Sequence, residues 1–121
     1  RRPPRSTLFP TRRSSDLFTG ATSIAYHVMR AAAENLVPLT LELGGKSPVI
    51  VSKTAKMGDA AARIMNGKTL NAGQICLAPD YVFVPEAGID EFVSEATKSV
   101  VKMFPTMKDN PDYTSIINQR H

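Results

Sequence analysis

Two side chains in this sequence could do chemistry together: Cys76 and, 34 positions before it, Glu42. Cys76 closes the stretch Asn-Ala-Gly-Gln-Ile-Cys at 71–76. A thiol attacks as its thiolate, and a free thiol ionises only at about pH 8.5. A turn that aims backbone N–H groups at the sulfur would help it ionise and could also hold an oxyanion. The other reading of a lone cysteine is a buried structural residue. Glu42 interrupts the apolar run Leu39-Thr40-Leu41-Glu42-Leu43, directly before Gly44-Gly45. Burying an ionised carboxylate is costly unless it is paired or used. A carboxylate kept at the end of a strand suits a general base. The other reading is an edge strand with its glutamate in water. Two weaker signals accompany the pair. Phe18-Thr19-Gly20-Ala21 opens a helix, whose free N–H groups could receive phosphate oxygens. Gly44-Gly45 permits close backbone approach, or only a bend.

Other chemistries are excluded by count or by position. One cysteine allows no intrachain disulfide and no cysteine-cluster zinc site. Two histidines, His27 and His121, make a histidine-rich metal site improbable. No apolar run approaches the ~20 residues that span a bilayer, so no membrane association is expected. No apolar signal segment is present either, which makes a cytoplasmic setting the default expectation. The net charge of +4 invites a nucleic-acid reading. Residues 1–17 carry that whole excess, with Arg1, Arg2, Arg5, Arg12 and Arg13 against Asp16 alone, and the remainder is balanced. A phosphate-binding face needs clustered Lys and Arg on a folded surface. No nucleic-acid partner is therefore expected.

The elements that must position Cys76 and Glu42 follow from periodicity. Residues 1–17 show none and contain Pro3, Pro4 and Pro10. They are expected to be an extraneous or disordered basic tail, unable to offset its own ordering entropy. Beyond them, a helix is expected over 22–35, capped by Thr22 or Ser23. Ile24, Val28, Ala32 and Leu36 lie near one face, and Pro38 stops it. Strands are expected over 39–43, 47–52 and 81–84. A helix capped by Asp59 should run over 59–70 with Ala61, Ile64 and Met65 inward. Asn71-Ala72-Gly73 should end it, as glycine commonly does. The strongest periodicity predicts a helix over 89–104, with Ile89, Phe92, Val93, Ala96, Val100, Met103 and Phe104 on one face. Alternating helices and buried strands predict an α/β fold with parallel pairing. Three strands and three helices would make a thin sheet, and both faces of a parallel sheet need covering. The sequence is therefore expected to be a piece of a larger protein, cut at both ends.

Taken together, three segments resemble one family. Phe-Thr-Gly-Ala at 18–21, Leu-Glu-Leu-Gly-Gly-Lys-Ser-Pro at 41–48 and Asn-Ala-Gly-Gln-Ile-Cys at 71–76 are similar to successive signatures of the NAD(P)-dependent aldehyde dehydrogenases. Their order and the glutamate-to-cysteine spacing fit that family. The stretches 27–38 and 110–116 resemble its coniferyl-aldehyde dehydrogenase branch. The resemblance implies a fragment of the aldehyde dehydrogenase fold. Residues 18–43 would be the end of a Rossmann-like cofactor-binding domain, and 44–121 the start of the α/β catalytic domain. The two would meet at Gly44-Gly45.

The resemblance also implies roles. Cys76 would be the nucleophile, passing through a thiohemiacetal and a thioester, and Glu42 would activate the hydrolytic water. The Cys76 backbone N–H would be one oxyanion donor. Thr19, Gly20 and Ala21 would face the pyrophosphate of NAD or NADP, and Leu43 and Gly44 would line the nicotinamide. The family's second oxyanion donor, an asparagine, would lie upstream, and its ribose-binding glutamate downstream. The chain alone is thus expected to be inactive. The substrate would be an aldehyde, with an aromatic or medium-chain one favoured by the branch. The parent would be a homodimer or homotetramer.

Two departures are visible. Ala21 replaces the family's usual serine and Ala25 a common glycine. Losing one neutral hydrogen bond changes stability by only about 0.5–1.5 kcal/mol, so neither removes the chemistry. Lys46 reads as structural or surface, and Asn71 and Gln74 as residues that hold the cysteine loop by hydrogen bonds. Two alternatives remain: a small α/β binding module with a structural cysteine, and a coenzyme-A-acylating aldehyde dehydrogenase. A cysteine hydrolase would need a histidine partner. Neither His27 nor His121 is well placed by sequence for that role.

Overall fold

The computed structural model describes residues 15–119 and 121. Most of the expected basic tail lies outside these residues. The chain divides into two compact units, one ending at Gly44 and one beginning at Gly45.

The first unit is a strand–helix–strand crossover. Strand β1 spans Asp16–Thr19, helix α1 Thr22–Glu34 and strand β2 Leu39–Glu42. β1 and β2 pair in parallel, with Asp16 opposite Leu39 and Thr19 opposite Glu42. Asp16 and Leu17 thus belong to a strand, which corrects the placing of the tail boundary after residue 17. A four-residue strand holding one acid gives almost no periodic signal. Its order comes from the ladder to β2, which begins with the Asp16 amide donating to the Pro38 carbonyl at 2.9 Å. Alternate residues turn inward, so Phe18, Leu39 and Leu41 are half-buried under α1.

Two expectations for α1 are corrected. Its N-cap is Ala21, and among the described residues no side chain caps it; Thr22 and Ser23 are helical. Its inward stripe is Ala25, Val28 and Ala32, while Ile24 is 49% and Leu36 92% exposed. The helix also ends before Pro38 can act. The Val37 amide donates to Ala32 O and the Leu36 amide to Ala33 O, with Leu36 in the left-handed region at φ 51°. This is the Schellman pattern, with leucine in the place glycine usually takes.

The second unit holds strand β3 (Ser47–Ile50), helix α2 (Met57–Thr69), strand β4 (Pro79–Phe83) and helix α3 (Ile89–Met103). β3 and β4 are parallel, so the described residues form two separate two-stranded sheets, not the single three-stranded sheet expected. The register slips between Ser47 and Pro48: Ser47 faces Pro79 but Pro48 faces Tyr81, leaving Asp80 as the extra residue. Proline has no amide to give a ladder and is tolerated in sheets at bulges. The bulged Asp80 accepts Lys46 Nζ at 3.0 Å, and Lys68 Nζ stands 3.9 Å away. Lys46 is 81% exposed, so this pair is a surface contact worth about 0–1 kcal/mol.

α2 begins two residues before Asp59, which lies in the first turn instead of capping it. A carboxylate there still complements the helix dipole. Ala61 and Ile64 are buried, as expected, and Met65 is half-buried. α2 packs on α3 and on β4. A Cβ at Gly67 would lie 3.5 Å from the Pro79 ring, an ordinary contact distance. α3 turns Phe92, Ala96, Val100, Met103 and Phe104 inward, but Ile89 and Val93 are 47% and 56% exposed. The apolar arc read from the sequence is thus only partly covered among the described residues.

Beyond α2 the backbone does something the sequence did not announce. Leu70 is extended, and Asn71, Ala72 and Gly73 follow with φ of 51°, 56° and 77°. A Cβ at Gly73 would lie 3.1 Å from Lys68 O. Gly73→Ala is therefore expected to destabilise the intact protein by about 1–3 kcal/mol, read as a lower midpoint in urea or thermal unfolding.

Candidate functional site

The residues singled out from the sequence form two groups, one in each unit. In the first unit, Thr19, Gly20 and Ala21 leave the carboxyl end of β1, and Glu42, Leu43 and Gly44 leave the carboxyl end of β2. Parallel pairing with Thr19 opposite Glu42 brings both exits to one edge. The Gly20 amide donates to the Glu42 carbonyl at 3.1 Å, extending the ladder past the strand ends. Ligands of open α/β sheets bind outside the carboxyl ends of the strands. α1 starts at that same edge with no acidic residue in its first turn and no side-chain cap. First-turn amides of a helix suit an anionic phosphate, and the turn of Thr19, Gly20 and Ala21 that leads into α1 faces that end without any hydroxyl at position 21. Glu42 is exposed and Leu43 half-buried, and a Cβ at Gly44 would meet nothing within 4 Å.

In the second unit, Cys76 follows the left-handed turn and precedes β4. Among the described residues its thiol is free and exposed. The loop around it is held by amides. Asn71 Nδ2 donates to Gln74 O at 3.2 Å, while Gln74 N and Nε2 both donate to Asn71 O, at 3.1 and 3.0 Å. On the far side of the cysteine, Ala78 N donates to Ile75 O at 3.0 Å.

Two further contacts were not anticipated. A Cβ at Gly45 would stand 3.0 Å from Cys76 O, so the absence of a side chain there lets the backbone of the cysteine turn come close. The Gly-Gly pair did signal close approach, but not to what. The Gln74 side chain also reaches Ser115 and Ile117. No local pattern could announce a contact across more than forty positions. His27 and His121 are both exposed. Among the described residues no three His, Cys, Asp or Glu side chains cluster as a metal site would require. No helix of the described residues is long and apolar enough to cross a membrane.

Comparison with known proteins bears on these two groups. Residues 16–121 match the aldehyde dehydrogenase family. A probable coniferyl aldehyde dehydrogenase of Caulobacter vibrioides is 70% identical over 105 residues, which cover 87% of this chain and 22% of that protein. A substrate-bound structure of Staphylococcus aureus AldH superposes with a TM-score of 0.79 at 43% identity, over 87% of this chain and 23% of that one. A C291A mutant of AldC from Pseudomonas syringae, complexed with NAD+ and octanal, gives a TM-score of 0.69 at 29% identity, over 74% and 19% of the two chains. The chain thus spans about a fifth of the length of its relatives and holds part of their α/β fold. It belongs to the aldehyde dehydrogenase family.

Proposed function

We propose that this chain carries the reacting residues of a cytoplasmic enzyme that oxidises an aldehyde to a carboxylic acid with NAD or NADP. Residues 18–43 close its cofactor-binding domain and 44–121 open its catalytic domain. Cys76 Sγ adds to the aldehyde carbon as a thiolate, forming a thiohemiacetal. The backbone N–H of Cys76 donates to the oxygen that becomes negative as the C–S bond forms. Loss of hydride from the same carbon re-forms the carbonyl and leaves a thioester on Cys76. When bound, the nicotinamide dinucleotide supplies the hydride acceptor. Glu42 takes a proton from the water that attacks the thioester, and the acid leaves as the thiolate is restored. Thr19, Gly20 and Ala21 would face the pyrophosphate, held at the start of α1 by first-turn N–H groups, while the Gly20 amide stays bonded to the Glu42 carbonyl. Leu43 and Gly44 line the nicotinamide, Leu43 through its carbonyl.

The observation that carries this reading is the exposed thiol of Cys76, set on a turn held by Asn71 and Gln74 in a chain of this family. An aromatic aldehyde of the coniferyl type is the favoured substrate, supported by the 70% identity to the Caulobacter protein. A homodimer or homotetramer is the proposed assembly. Glu42, as an activator of water, favours hydrolysis over transfer to coenzyme A.

The test is mass spectrometry of the complete enzyme after a single turnover with aldehyde and NAD+. An acyl group on Cys76 is expected, and its absence there would sink the reading. The close approach at Gly45 adds a second expectation. Gly45→Ala forces the Cys76 carbonyl to give way by tenths of an ångström. kcat should fall on the order of tenfold while KM stays near the parent value, because the sulfur is misplaced and not removed.

A further inference from the structure

We infer that Gln74 is a positioning residue, holding a segment from far along the chain against the turn that presents Cys76. The inference rests on the reading of Cys76 as nucleophile. Gln74 Nε2 donates to Ser115 O at 3.2 Å, and Gln74 Oε1 accepts from the Ile117 amide at 2.9 Å. The same Nε2 donates to Asn71 O at 3.0 Å. Two carbonyls on the nitrogen side and one amide on the oxygen side leave a single amide orientation that satisfies all three partners.

The segment so held has a second anchor. The Tyr113 ring packs edge-on against Phe104, with centroids 4.8 Å apart, just past the end of α3. Asn110 shapes the approach, accepting the Asp112 amide on its Oδ1 at 2.8 Å and the Tyr113 amide on its carbonyl at 3.2 Å. The cysteine turn is therefore tied to α2 through the chain itself and to the end of α3 through Gln74. α2 and α3 pack on each other, so the turn is braced from both helices. Without the Gln74 amide the second brace is lost, and the turn hangs between α2 and β4. A nucleophile misplaced by about 1 Å loses on the order of 10²-fold in rate.

The test uses the complete enzyme with Gln74→Met, which keeps the length of the side chain and removes its hydrogen bonds. The Ile117 amide should exchange with solvent about 2- to 10-fold faster, the equivalent of one lost hydrogen bond. kcat should fall on the order of 10²-fold with KM within about threefold of the parent. Iodoacetamide should still alkylate Cys76, since a small reagent makes no demand on the angle of attack. Ile117→Pro serves as the second variant, removing the one amide that Gln74 accepts while leaving Gln74 in place; the Ile117 side chain is 77% exposed. A loss of kcat in the same sense is expected there. Parent-level kcat in either folded variant overturns the proposal. So does unchanged exchange at Ile117 in Gln74→Met, or fast exchange there in the unsubstituted enzyme. Failure of the cysteine reading is distinct: the unsubstituted enzyme would then turn over with no acyl group on Cys76.

Discussion

Cys76→Ala in the complete enzyme is expected to lower turnover by about 10⁴- to 10⁶-fold, the scale set by removing a covalent nucleophile. Alanine deletes the atom that, on the proposed reading, bonds to the aldehyde carbon. The remaining binding groups can still dock an aldehyde, but hydride loss from a free aldehyde or its hydrate lacks the thiohemiacetal through which the two-step route passes. The substitution removes a single sulfur atom, so the variant should still unfold cooperatively, which separates loss of chemistry from loss of fold. Three measurements check this: steady-state turnover, the mass of the protein after one turnover, and the melting curve. Retained turnover, or an acyl adduct on another residue, would contradict the assignment.

Glu42→Gln is expected to act later in the cycle. The amide has nearly the shape of the carboxylate but cannot take a proton from water. General-base assistance of this kind is worth about 10²- to 10⁴-fold. Acylation should be spared while hydrolysis slows by that factor. NADH should then appear as a burst of one equivalent per site, and the thioester on Cys76 should accumulate to detection by mass spectrometry. Glu42 is exposed at the end of β2 and its backbone carbonyl makes the contact to Gly20, so the fold should not suffer. A variant with unchanged steady-state turnover, or one that never acylates, would remove Glu42 from the role of water activator.

The residues proposed as the site were named by type and spacing alone. Cys76 and Glu42 stand out because each is a reactive group in surroundings that do not call for one. Helix α3 is plain in the spacing of Phe92, Ala96, Val100 and Met103, because a helix packed on one side writes its period into the chain. The hydrogen bonds around Asn71 and Gln74 were also foreseeable, since both are short-range.

What escaped was set by contacts between distant residues or by backbone energetics. β1 draws its order from β2, which follows a whole helix later. Neither helix α1 nor α2 uses a side-chain cap, so Thr22, Ser23 and Asp59 were misleading as caps. The slip at Pro48 follows from a missing amide whose partner strand lies thirty residues on. Likewise Ile89 and Val93 obey the helical period but find nothing to cover them in the described residues.

The bond from the Gly20 amide to the Glu42 carbonyl couples two tasks in one short piece of backbone. A substitution at residues 19–21 that moves the exit of β1 would shift the main chain at position 42 as well. On the proposed reading, the cofactor side and the hydrolytic side of the reaction cannot be adjusted one at a time at this corner.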